Sequence, residues 1–98
     1  MINRIVRLSF KPEMVNEFLN VFNESKHQIA AFKGCHGLTL LQDVKFNNVF
    51  FTYSLWENED CLNKYRYSDL FKETWTKTKR LFNDKPIAYS LLVTEVVK

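Results

Sequence analysis

The chain has 98 residues, 46% of them hydrophobic and 26% charged, and carries a formal net charge of +3. That length supplies one core and excludes a cofactor domain beside a separate substrate domain, so a single domain over residues 1–98 is expected. Two cysteines cannot build a disulfide framework, and neither a CxxC pair nor a Cys/His spacing suggests zinc, which points to a reducing cytoplasm.

The apolar runs, such as Val49-Phe50-Phe51 and Leu91-Leu92-Val93, are far too short to cross a bilayer, and the first twenty residues lack a signal-peptide core. A soluble, unexported protein with no membrane partner is expected. The basic residues are scattered from Arg4 to Lys98, with one modest cluster at Lys77, Lys79 and Arg80. Nucleic-acid binders concentrate such charge in a stripe.

Ile2 to Phe10 alternates in the manner of a strand, with Ile2, Val6, Leu8 and Phe10 on one side and Asn3, Arg7 and Ser9 on the other. Arg4 and Ile5 break the pattern. Lys11-Pro12-Glu13 opens a helix, since proline suits a first turn and a glutamate favours the positive end of the helix dipole. Met14, Phe18, Phe22, Ser25, Ile29 and Phe32 recur every three or four residues and predict one buried stripe reaching Phe32, with Gly34 as its left-handed terminator. His27 falls on the opposite side of that helix.

Leu38–Gln42 and Val49–Trp56 read as a hairpin around Lys45-Phe46-Asn47-Asn48. Asn58 caps a short helix through Tyr65, and Ser68 caps a second one whose apolar face holds Leu70, Phe71, Thr74, Trp75, Thr78, Leu81 and Phe82. The Lys77, Lys79 and Arg80 cluster then complements the dipole at that helix's C-terminal end. A last strand is expected from Ile87 to Val97. The order β-α-β-β-α-β, with its second helix broken in two, predicts an α+β, ferredoxin-like fold: a four-stranded antiparallel sheet with helices on one face.

The strands are apolar on both sides: Val49, Phe51, Tyr53 and Leu55 oppose Phe50 and Trp56, and Ile87, Tyr89, Leu91 and Val93 oppose Ala88, Leu92 and Val96. Helices cover one face only. The other is expected to be buried in a homodimer, at about 25 cal/mol per Å² of apolar surface.

Between sheet and helices, Val6, Phe22, Trp56, Tyr65, Phe71 and Trp75 either fill the core or line an apolar ligand pocket. His36, between Gly34-Cys35 and Gly37, is either a base or ligand-binding residue at the pocket mouth or a loop histidine. Cys35 and Cys61 read as small buried fillers. There is no Gly-rich phosphate loop, no Ser/His/Asp set and no metal-ligand spacing, so hydrolysis, phosphoryl transfer and metal catalysis lack their parts.

Tyr53-Ser54-Leu55-Trp56-Glu57-Asn58-Glu59, followed by Leu62, Tyr65, Ser68 and Phe71 and preceded by the Gly34-Cys35 step, resembles the antibiotic biosynthesis monooxygenase family over nearly the whole chain. The resemblance implies a dimeric α+β barrel and, from part of the family, oxidation of a quinol or polycyclic phenol without metal or flavin. Trp56 would pack the substrate ring and donate its indole N–H to an oxygenated intermediate. Tyr65, standing where many members have histidine, would be a hydrogen-bond partner or the proton acceptor. Val6, Phe22, Phe71, Trp75 and His36 would bind and enclose the aromatic substrate.

A haem-degrading branch of the same family requires an asparagine and a histidine where this chain has Val6 and Trp75, which disfavours haem and leaves no cofactor expected. A non-catalytic small-molecule-binding or stress-related dimer of the same fold is the alternative. RNA binding through Phe51 and Tyr53 is disfavoured, because strand one offers Asn3, Ile5 and Arg7 in place of an aromatic platform.

Overall fold

Pro12 sets the first boundary. In the computed structural model, which describes residues 1–98, β1 covers Ile2–Ser9 and a single 3-10 turn, Pro12–Met14, leads into α1 (Val15–Ala30). The turn is closed by the Met14 N–H donating to the Lys11 carbonyl at 2.8 Å. The helix therefore starts three residues later than the proline alone suggests. Its buried face is Phe18, Val21, Ser25 and Ile29, a spacing of three and four.

The helix also ends earlier than the stripe predicts. Ala31 caps it, and Phe32 lies in the turn that Gly34 closes at φ 89°, a conformation that favours glycine. A Cβ at Gly34 would stand 2.5 Å from both Cβ and Sγ of Cys61, so the turn also needs glycine for space. The Gly34 carbonyl accepts from the Glu57 N–H at 2.8 Å, which ties this turn to the far end of the hairpin.

That hairpin is β2 (Cys35–Gln42) and β3 (Val49–Trp56). Asp43 organises its turn by accepting from the Lys45 and Phe46 N–H groups, and these bonds hold its carboxyl below the usual range. α2 (Glu59–Arg66) starts where Asn58 accepts from the Cys61 N–H, and α3 (Asp69–Lys79) where Ser68 accepts from the Phe71 N–H. Both caps stand where the sequence places them.

β4 is shorter than expected, Ile87–Leu91 rather than reaching Val97. It pairs only with β1, and Leu91 already stands opposite Asn3. Beyond Leu91 the pairing with β1 stops, and β4 has no second neighbour in the sheet.

The sheet order is β2-β3-β1-β4, antiparallel throughout, which is the ferredoxin-like arrangement. Its register separates two faces. Arg4, Val6 and Leu8 of β1 stand opposite Ser54, Thr52 and Phe50 of β3, and this face meets the helices. Ile5 and Arg7 stand opposite Tyr53 and Phe51 on the open face. At one end of the covered face the core closes around Leu8, Phe10, Phe18, Phe50 and Leu81, with Phe10 and Leu81 fully buried. At the other end the helices stand off the sheet and leave a cavity. No helix is long and apolar enough to cross a membrane.

Candidate active site

The cavity has a volume of about 310 Å³ and lies between the covered face of the sheet and all three helices. Six of the seven residues singled out from the sequence line it: Val6, Phe22, Trp56, Tyr65, Phe71 and Trp75. The pocket and the core are therefore two ends of one apolar layer.

Its wall is a continuous run of rings. Trp56 stacks on Tyr65 at 4.9 Å and 23°, and Phe71 meets the other side of Tyr65 edge-on at 5.3 Å. Phe71 stacks on Trp75 at 5.8 Å and 9°, and Trp75 touches Phe82, which stacks on Phe10 in the core. Phe32 meets both Trp56 and Tyr65 with its edge. Such geometries favour ring pairs beyond their buried area and hold the wall rigid.

Trp56 is 1% exposed, and its indole N–H donates to Ser54 Oγ at 2.9 Å. The two residues sit two apart on β3, so the strand period brings them to the same face. The N–H expected to meet an oxygenated intermediate is thus already engaged. Ser54, not singled out from the sequence as a site residue, lines the cavity and is the acceptor of this bond.

Tyr65 is placed on the last turn of α2 and packed among rings. Burial first, and the neighbouring Cys35 second, push its phenol up to about 12. At neutral pH it is a protonated donor, and burial makes its phenolate harder still to form. No group of the chain hydrogen bonds its hydroxyl, and that hydroxyl is not sealed from the cavity.

His36 does not join these residues. It occupies the irregular step between Cys35 and Gly37 in β2, where the strand gains a residue against β3, and its Nε2 lies 4.0 Å from Glu57 Oε2 at the exposed edge. His27 is exposed on α1. No histidine, aspartate or glutamate lines the cavity, and no group of three His, Cys, Asp or Glu residues is placed to hold a metal ion.

The polar groups that do line it are Thr52 and Ser54 of β3, Ser25, Thr74 and Thr78 of the helices, and two arginines, Arg4 and Arg66. Ser25 and Thr78 spend their hydroxyls on carbonyls of their own helices. Arg4 Nη1 donates to Ser90 Oγ at 2.9 Å across the β1–β4 ladder. Burial, and then the charge of Arg66, pull the Arg4 guanidinium below its ordinary value. The signal for Arg4 was present in the sequence as the charged interruption on the apolar side of the first strand.

The profile of the antibiotic biosynthesis monooxygenase family matches residues 1–77. Solved structures share the fold at low identity. A conserved protein from Methanosarcina mazei Go1 aligns at TM-score 0.88 and 21% identity, covering 92% of this chain and 89% of that one. A putative antibiotic biosynthesis monooxygenase from Caulobacter crescentus CB15 aligns at TM-score 0.89 and 22% identity, over 96% and 90%. The N63A mutant of SnoaB, a cofactor-independent oxygenase from Streptomyces nogalater, aligns at TM-score 0.86 and 17% identity, over 98% and 95%. No curated protein matches the chain in sequence. With its profile spanning most of the sequence and its fold shared end to end, the chain belongs to the antibiotic biosynthesis monooxygenase family.

Proposed function

We propose that the cavity binds a small reduced aromatic, a quinol or polycyclic phenol, and that the protein promotes its oxidation by dioxygen without metal or flavin. The observation that carries this reading is the wall of stacked rings around about 310 Å³ of apolar space, a volume and surface suited to a fused-ring substrate. Family membership supports it, and so does the described activity of the Streptomyces nogalater oxygenase that shares the fold.

The chemistry balances with these parts. A hydroquinone and O2 give a hydroxyquinone and water, and an anthrone methylene and O2 give a ketone and water, so the substrate itself supplies every electron. The substrate anion is the reductant. The protein's share is to bind it, hold it against the rings, exclude bulk water and donate hydrogen bonds from Tyr65 and Ser54 to oxygen as charge develops there.

Assembly belongs to the same reading. Ile5, Phe51, Tyr53, Leu55 and Tyr89 share the open face of the sheet, and Tyr89 and Leu91 are about half exposed in the single chain. A second copy packed there would form a homodimer and bury this surface. Two free cysteines agree with a cytoplasmic setting.

Oxygen uptake by metal-free protein, with a panel of hydroquinones and anthrones, tests the activity. Uptake lost in the Trp56→Phe, Tyr65→Phe double variant supports oxygenation in this cavity. A second reading, a ligand-binding dimer without turnover, is favoured by the absence of any base among the lining residues. Tight binding of the same compounds with no uptake above buffer selects that reading.

A further inference from the structure

The cavity's titratable lining groups are Arg4, Tyr65 and Arg66, and none of them is acidic at neutral pH. A buried or half-buried guanidinium ordinarily has a carboxylate beside it. Three cations elsewhere do have such partners: Arg7 lies 3.7 Å from Asp84, Lys77 lies 3.9 Å from Glu24, and Arg80 pairs with Glu17. Neither Arg4 nor Arg66 has a carboxylate within 4.0 Å.

The dipole of α2 accounts for a cation at Arg66, its last residue. It does not account for Arg4, which projects from the middle of a central strand onto the helix-facing side and meets only the neutral hydroxyl of Ser90. Placing two like charges near one another beside an apolar cavity is unfavourable unless an anion joins them. The two guanidinium groups give the cavity a positive side with no acidic residue in its lining.

We infer that Arg4 and Arg66 form an anion-recognition pair at the aromatic cavity, so that its ligand is an aromatic acid or phenolate bound through its negative group. This rests on the cavity being an aromatic-binding site, and it names the substrate class for the proposed oxidation. The rings take the planar body, while the two guanidinium forks take the oxyanion through charge-assisted hydrogen bonds. The pair also supplies what a site without a base requires: it lowers the ionisation cost of a phenol by stabilising its anion.

The test is calorimetric binding of two near-isosteric probes, anthracene-2-carboxylate and anthracene-2-carboxamide, to wild type and to the Arg4→Gln, Arg66→Gln and double variants. Wild type is expected to bind the carboxylate at least about tenfold more tightly than the amide, with added salt eroding the preference. Each variant should reduce that ratio while leaving amide affinity within about twofold. Arg66→Gln lies on an exposed helix end, so it keeps the test valid should Arg4→Gln fold poorly. Equal binding of both probes, or a preference that survives in the folded variants, overturns the anion pair and leaves the aromatic pocket standing. Binding of neither probe overturns the pocket reading and the pair with it.

Discussion

The indole N–H of Trp56 and the hydroxyl of Ser54, two residues apart on one strand, are joined by a buried hydrogen bond of 2.9 Å. This bond fixes the plane of the ring on which Tyr65 stacks. Ser54→Ala removes the only acceptor and leaves a buried donor unsatisfied, at a cost of about 1–3 kcal/mol. For a chain of this size the melting temperature should fall by roughly 4 °C or more. An unchanged melting temperature would show that the bond orients nothing.

The Tyr65 phenol is expected to lower stability at high pH. Its folded value is pushed to about 12 against an ordinary 10.0, so the folded protein keeps a proton that the unfolded chain releases. Below pH 10 both states hold the proton and the residue adds no pH dependence. As pH rises from about 10 to about 12 the unfolded state alone ionises, and about 2–3 kcal/mol is lost. Urea unfolding across pH 8–12 checks this: Tyr65→Phe should flatten the decline by that amount. Absorbance titration of the phenols should lose its latest step in the same variant.

At Gly34 a side chain meets two obstacles, a φ of 89° and Cys61 at 2.5 Å. Gly34→Ala should therefore destabilise by about 1–3 kcal/mol or displace α2 from the start of β2. Thermal unfolding measures the first outcome. A changed chemical shift at Cys61 and Leu62 would register the second.

Leu81 has no exposed surface and closes the core beside Phe10. Leu81→Ala is expected to cost about 2–5 kcal/mol in denaturant unfolding. Lys79→Ala, two residues earlier on the exposed side, should stay within about 0.5 kcal/mol.

Much of the architecture was legible because its signals are local. Asn58 and Ser68 announce their helices by side-chain chemistry, Gly34 announces a left-handed turn, and β3 alternates between its flanking turns without a break. The end of β4 was not legible, because Leu92, Val93, Val96 and Val97 have strand character but no neighbour within the chain. Six cavity-lining residues were legible because an apolar side chain facing inward is visible in periodicity. The state of each was not: the packing that raises the Tyr65 phenol depends on contacts between elements. Arg4 looked like an irregularity in an amphipathic strand, and its meaning emerges only when Arg66, distant in sequence, is brought to the same cavity. His36 stands at the single extra residue of β2, an irregularity that no local pattern reports.

Because side chains alternate along β3, eight residues write two surfaces at once. Thr52, Ser54 and Trp56 face the cavity, while Phe51, Tyr53 and Leu55 face away. On the proposed reading, exchanges at even positions would retune ligand choice and leave the dimer face untouched, and exchanges at odd positions would do the reverse. Inserting or deleting one residue would swap the two inscriptions and ruin both. The strand can diversify only letter by letter, so its two faces are separately adjustable by substitution and jointly vulnerable to a shift in frame along the strand.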